Sequence, residues 1–246
     1  MLSILYYLFT LLQVAFWFVM SVIVLIVTYP FDKSRRWVHE CSRCICITLF
    51  GVPPFIRRTI DGLENIEKGK PYVMVLNHMS GIDIFATYKV PLNFRWVSKR
   101  EVFKVPFVGW LLPIHGDIPI ERGNAKEAMA KVLREGKMWL QRGATIAIFP
   151  EGTRSKTGEI GRFKAGAFNL AAEAGVDILP VVMTGTNKMF NGWKVNWRSR
   201  VALRVMPPIK AETVAATDCK ELMLQVRESM VEELAKLRAE VAAEKR

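Results

Sequence analysis

Histidine and cysteine are scarce in this chain, at three and four of 246 residues. Cys41, Cys44 and Cys46 share one apolar stretch with His39, and Cys219 stands far away. The cluster lacks the paired C-x-x-C spacing of a structural zinc site. In a reducing compartment disulfides are not expected either, so the cysteines read as small apolar filler. A serine nucleophile elbow, G-x-S-x-G, is missing, which disfavours covalent serine chemistry. Neither a Walker P-loop nor G-x-G-x-x-G occurs, so a nucleotide-binding reading is weak. Acidic residues are outnumbered, 23 against 35 Lys+Arg, and the net charge of +12 points to an anionic partner. Nucleic acid, anionic lipid and phosphorylated substrates all satisfy that demand.

Charge is absent altogether before Asp32. As a helix, these first residues would run roughly 45 Å, enough to enter or cross a hydrocarbon core of about 30 Å. A signal peptide would carry a basic n-region, a shorter apolar core and a small-residue cleavage site, none of which is evident. Lys33, Arg35 and Arg36 follow the segment, a bias that leaves the next domain in the cytoplasm. A second apolar stretch, Cys44 to Phe55, is too short to span and closes on Gly51 and Pro53-Pro54. It reads as an amphipathic or re-entrant helix at the bilayer surface. The pair forms either a span plus a surface helix or a hairpin in one leaflet. Residues 1–56 are thus expected to anchor a separate domain, residues 57–246.

In that domain the pattern changes to alternating strands and helices. Tyr72 to Leu76, Ala144 to Phe149 and Ile178 to Gly185 are short, nearly continuous apolar runs, as in strands buried on both faces. Asn124, Glu127 and Gly143 mark the cap, capping-box partner and end of a helix between the first and second of these runs. A further helix ends on Gly175, and the C-terminal segment carries Leu222, Val226, Met230, Leu234, Leu237 and Val241 along one stripe. The predicted fold is α/β, a mostly parallel sheet flanked by helices, with an N-terminal membrane-embedded helix pair. Chemistry in such sheets collects where loops leave the carboxyl ends of strands.

Two loops at that edge hold the candidate residues. In "NHMSGID", Ser80 and Asp83 fit a capping box, while His78 and Asp83 fit an acid/base pair. Positions i and i+5 lie about 140° apart in a helix, so a His–Asp contact requires His78 to stand in the turn before it. Asp83 would then fix the imidazole tautomer while the other nitrogen takes a proton. In "FPEGTRS", Glu151, Gly152, Thr153, Arg154 and Ser155 leave a buried strand. Lys156, Arg162 and Lys164 follow, and Gly166 opens a helix, which together resemble a phosphate cradle. "GDIPIERG" places Glu121 and Arg122 after another short strand.

These four blocks, "NHMSGID", "GDIPIERG", "FPEGTRS" and "ILPVVMTG", resemble in order and spacing the motifs of the glycerolipid acyltransferase family, covering Tyr72 to Gly185. The resemblance implies transfer of a fatty acyl group from a thioester, acyl-CoA or acyl carrier protein, to the sn-2 hydroxyl of lysophosphatidic acid, giving phosphatidic acid. It implies His78 as general base, oriented by Asp83, with no covalent intermediate, no cofactor and no metal. Carried over residue by residue, Arg122, Glu151, Gly152, Thr153 and Arg154 would bind the acceptor phosphate. Lys99 matches a family lysine at the same site, and Lys164 is a further candidate. A carboxylate would repel a phosphate, so Glu151 is expected to hold Arg154, Arg122 or a glycerol hydroxyl. Oxyanion donors would be backbone amides near Gly152 or Asn77, and Pro180 would shape its strand's end. A bacterial relative of this kind would work on the cytoplasmic face of the inner membrane, with membrane lipids and no nucleic acid as partners.

Two other classes compete. A nucleic-acid binder would explain the charge, but the basic residues are dispersed and no recognised motif is present. A non-catalytic lipid-binding protein would keep the cradle and the anchor but has no need of His78. Among enzymes, a sibling acyltransferase would use glycerol-3-phosphate or another lysolipid. Because the sequence offers no metal-ligand set, acyl transfer by the purified protein is expected to persist in excess chelator, and a strict Mg²⁺ requirement for the chemical step would contradict this reading.

Overall fold

The structure is a computed structural model that describes residues 2–51, 57–121 and 123–244. Helices α1 (Leu2–Thr28) and α2 (Arg36–Gly51) precede strand β1 (Arg57–Asp61) and strand β2 (Val73–Leu76). Helix α3 (Ile82–Thr87), β3 (Phe94–Lys99), α4 (Val108–His115), β4 (Ile118–Ile120), α5 (Ala125–Gln141) and β5 (Thr145–Ile148) follow. The remainder comprises α6 (Gly166–Ala174), β6 (Ile178–Thr184), the small hairpin β7 (Phe190–Asn191) and β8 (Lys194–Val195), β9 (Arg200–Val205), α7 (Ala211–Ala216) and α8 (Cys219–Ala243).

The main sheet has seven strands in the order β1-β9-β6-β2-β5-β3-β4. Its neighbours pair in parallel except β6 with β9, where Thr184 lies opposite Ala202. Strands β6, β2, β5, β3 and β4 therefore all end on one edge, and β9 begins there. The three apolar runs legible in the sequence are the central strands, and every residue of β2, β5 and β6 is buried. Val73 and Val75 pack with α5, α6 and α8 on one face, while Met74 and Leu76 pack with α2 and α3 on the other. Burial on both faces is why these strands show no polar alternation. The predicted stripe on α8 is buried from Leu222 to Leu237. Asn124 caps α5, accepting from the Glu127 amide at 3.1 Å.

Helix α1 is long and apolar enough to cross a membrane over Ser3–Thr28, and it turns Leu8, Leu12, Phe16, Ile23 and Ile26 outward. It nevertheless runs along the α/β unit. Near its start the Tyr7 hydroxyl donates to the Trp193 carbonyl at 2.8 Å, and Tyr6 meets the Trp197 ring edge-on at 5.6 Å. Phe18 packs on Phe107 and Trp110, and beyond the helix Arg35 donates to the carbonyls of Pro113 and Ile114.

A buried polar chain with no local signal in the sequence joins this pair to the sheet. Arg95, on β3, is fully buried and donates to the carbonyls of Ser34 and Arg35 in the α1–α2 turn. Its guanidinium lies 5.0 Å from the Trp139 ring centroid, and burial pulls its pKa down to about 10. His39, on α2, places Nδ1 2.9 Å from Nε2 of His115, whose Nδ1 lies 2.7 Å from Asp117 Oδ1. A carboxylate can only accept, so His115 donates from Nδ1 and accepts at Nε2 from His39 Nδ1–H. This proton order requires the His115 imidazole to be neutral. Burial, helped by the Arg95 charge, holds His115 below its ordinary range and His39 well below it. His39 is therefore engaged with His115, at the sheet.

Two folded-state values below the ordinary 6.5 mean that the unfolded chain binds protons first as pH falls. Their contribution to stability is complete above about pH 6.5 and is lost below it. In detergent, Tm is expected to fall as pH is lowered from about 7.5 to 5, with a shallower dependence in His39→Phe; identical slopes in the two proteins would refute the assignment.

Candidate active site

Strand β2 hands over to α3 through a turn pinned from several sides. The Asn77 side chain donates to the Met183 carbonyl at 3.0 Å and accepts from the Met183 amide at 2.8 Å, fastening the end of β2 to β6. His78 stands outside the helix, and its Nδ1 lies 2.8 Å from Asp83 Oδ2. The same oxygen accepts from the amides of Met79 at 2.6 Å and Ser80 at 2.8 Å, and Asp83 Oδ1 accepts from the Thr186 hydroxyl. Four donors converge on a fully buried carboxylate. Asp83 thus holds the imidazole and takes the Ser80 amide, one arm of the expected capping box, while Gly81 stands at the N-cap of α3. Facing a carboxylate, Nδ1 carries the proton and Nε2 is left as the acceptor.

The imidazole plane is fixed by stacking. His78 lies 3.9 Å from the Phe149 ring centroid at 13°, and Phe149 lies 5.0 Å from Trp96 at 17°. Only 13% of the His78 side chain remains accessible. Neither Phe149 in this role nor Thr186 was legible in the sequence, since their contacts depend on how strands β5 and β6 flank β2.

The second loop closes on the first. The Ser155 amide donates to the His78 carbonyl at 2.8 Å. Glu151 Oε1 accepts from the His78 amide at 2.9 Å and its Oε2 from the Gly161 amide at 2.8 Å. The carboxylate thus ties the histidine turn to the loop leading into α6, a backbone role that the sequence did not suggest. Burial raises its pKa, against the pull of these two amides. The amide of Gly152, suggested above as an oxyanion donor, is taken by the Phe149 carbonyl at 3.0 Å.

Cations lie where side chains are missing. A Cβ on Gly81 would sit 3.3 Å from Arg154 Nη2, and one on Gly152, at φ +69°, would sit 2.9 Å from Lys164 Nζ. Glycine at these positions lets both cations approach the backbone of the two turns. Thr153, Arg154 and Lys164 are exposed to solvent. Lys99 ends β3 in register with Ile120, the last residue of β4, and so stands on the same sheet edge. Lys156 and Arg162 are also exposed. Arg122 lies outside the described residues. Among the described residues, no group of three or more His, Cys, Asp or Glu side chains is placed to hold a metal.

Residues 57–184, from β1 to the end of β6, match the sequence model of the Acyltransferase family. The chain belongs to the acyltransferase family. Within it, the chain is 32% identical over 216 residues to the 1-acyl-sn-glycerol-3-phosphate acyltransferase LPAT1 of Arabidopsis thaliana chloroplasts, covering 85% of this chain and 60% of that protein. It is 38% identical over 154 residues to the 1-acyl-sn-glycerol-3-phosphate acyltransferase of Pseudomonas aeruginosa, covering 62% of this chain and 59% of that one. The matches thus span about three-fifths of these curated relatives. The crystal structure of the acyltransferase PlsC from Thermotoga maritima superposes with a TM-score of 0.68 at 24% identity, over 95% of this chain and 98% of the other, and shares the acyltransferase fold.

The two-amide grip of Glu151 yields a specific expectation. Glu151→Gln keeps the shape but replaces one acceptor by a donor, leaving the amide of His78 or Gly161 without a partner at a cost of about 1–3 kcal/mol. Thermal or denaturant unfolding should register that loss even without substrate; a variant as stable as the parent would place Glu151 in a purely substrate-facing role.

Proposed function

We propose that this acyltransferase moves a fatty acyl group from a thioester to the sn-2 hydroxyl of lysophosphatidic acid, forming phosphatidic acid. The observation that carries the reading is the His78–Asp83 pair at 2.8 Å, set beside the Arg154 and Lys164 charges on the sheet's carboxyl edge. The relatives' names, as 1-acyl-sn-glycerol-3-phosphate acyltransferases, supply the acceptor.

Nε2 of His78 takes the proton of the acceptor hydroxyl as its oxygen attacks the thioester carbonyl. Asp83 holds the ring and stabilises the imidazolium that forms. Collapse of the tetrahedral intermediate breaks the C–S bond, and the thiolate leaves with the proton returned from Nε2. No acyl-enzyme intervenes. Arg154 and Lys164, with Thr153, Gly152, Lys99 and Arg122, would hold the acceptor phosphate and so set the distance from hydroxyl to base. Glu151 supports this site by fixing the backbone of His78.

The anchor fits an acceptor confined to the bilayer. With both ends of α1 resting on the catalytic unit, we read the helix pair as lying in one leaflet, its outward leucines and phenylalanines among the lipid chains. The basic flank and net charge of +12 favour the cytoplasmic face of the inner membrane and attract anionic lipid and donor. The donor is acyl-CoA or acyl carrier protein.

His78→Ala is expected to lower kcat by about 10²–10⁴ while the protein still sediments with phosphatidylglycerol vesicles. A panel of lysophosphatidic acid, glycerol-3-phosphate and other lysolipids should show lysophosphatidic acid as the preferred acceptor. Undiminished turnover in His78→Ala, or preference for another acceptor, would overturn the assignment.

A further inference from the structure

A second basic recess opens on the other side of the histidine turn. It is a cavity of about 340 Å³ whose near wall includes Met79, the neighbour of His78, and Thr184 and Gly185 at the end of β6. Its far wall carries Lys188, Arg198, Arg200 and Arg238, and Glu159 is the one carboxylate among its lining residues. Two of the four cations are already matched. Arg238 pairs with Glu159 at 2.9 Å and packs its Nη2 4.0 Å from Met79 Sδ, and Arg200 pairs with Glu244 at 3.3 Å. Lys188 and Arg198 are exposed and form no ion pair among the described residues. A recess with this surplus of positive charge at the carboxyl edge of an α/β sheet is suited to a phosphorylated ligand.

Its position narrows the choice. In the sheet, β2 lies between β5 and β6. The loop with Arg154 and Lys164 leaves β5 and reaches the recess through Thr157, Gly158 and Glu159, whereas the recess cations come from elsewhere: Lys188 and Arg198 from the β6–β9 connection, Arg200 from β9 and Arg238 from α8. Cations of two different chain segments thus flank the histidine turn, Arg154 and Lys164 near its glycines and the recess cations beyond Met79. The reaction proposed above has two anionic substrates that must meet at one imidazole, and each requires its own counter-charge. Resting on that reading, we infer that the β6–β9–α8 recess binds the phosphate-bearing arm of the acyl donor, with Lys188 and Arg198 as its specificity-determining cations. The arm then enters past Met79 and presents its thioester to His78 opposite the acceptor. The shared chemistry is the phosphopantetheine phosphate, present both in coenzyme A and on a carrier protein.

The test uses the full-length protein in detergent with the double variant Lys188→Glu/Arg198→Glu and, as a control of like sign, Lys220→Glu on the distant start of α8. Loss of charge-assisted contacts to a phosphate should raise the KM for acyl-CoA about 10- to 100-fold in the double variant, with the KM for lysophosphatidic acid unchanged. Lys220→Glu should leave both values as in the parent. Acyl-phosphopantetheine and acyl carrier protein, run as separate donors, locate the effect. A rise with all three assigns the pantetheine phosphate, and a rise with acyl-CoA alone assigns the nucleotide phosphates. An unchanged donor KM, or a rise in the acceptor KM in its place, overturns the inference. Calorimetric titration with coenzyme A separates this from the acyl-transfer reading: binding to the parent that the double variant loses supports the recess whatever the turnover, and absence of binding to the parent refutes it.

Discussion

The site depends on one buried carboxylate. Removing an ion such as Asp83 from water costs several kcal/mol, and only a full set of donors offsets that cost. Four arrive: two backbone amides, an imidazole and a hydroxyl, each bond to a charged group contributing about 1.5–3 kcal/mol. Meeting this demand fixes the conformation of residues 78–80, the position of α3 relative to β6 and the tautomer of His78 together. The geometry of the His78–Asp83 pair is thus a consequence of satisfying a buried charge, and the ring is oriented by the fold itself.

Glu151 performs a related task from the opposite direction. Its two oxygens join the amide of His78 to that of Gly161, so the loop bearing Arg154 and Lys164 is held to the turn bearing the base. The cationic loop and the imidazole are thereby placed by one bridge. A carboxylate beside a phosphate site would be repulsive if it faced the ligand; engaged with backbone amides, it shapes the site at little electrostatic cost. Motif spacing reports which residues share a loop but not which way their side chains turn, so these two amide bonds were not legible in the sequence.

What the sequence made legible follows the range of the interactions involved. Strands β2, β5 and β6 were readable because central burial removes alternation, and α8 because its stripe repeats at helical spacing. The His78–Asp83 contact was readable as one of two options, since only five residues separate them. Thr186, Phe149 and the pairing of His39 with His115 were not, because each joins residues that the order of strands brings together. The recess beside β9 was equally hidden: its cations come from the β6–β9 connection, β9 and α8, and no single window of sequence contains them.

The same long-range contacts link the anchor to the reacting ring. Arg95 and Trp96 are adjacent on β3 and so point to opposite faces of the sheet. Arg95 holds the carbonyls of the α1–α2 turn. The Trp96 amide donates to Asp117 Oδ1 at 2.7 Å, the oxygen that also receives His115, while its indole supports Phe149, which supports His78. The N-terminal helix pair, the buried histidine chain and the His78 imidazole are thus registered on two consecutive residues of one strand. In the reaction proposed above, the acceptor lies in a lipid surface, and His78 as its base would have to be held at a fixed height above that surface. Placing both references on neighbouring residues of a close-packed strand achieves this without a flexible linker, because side chains in such a core have no room to move independently.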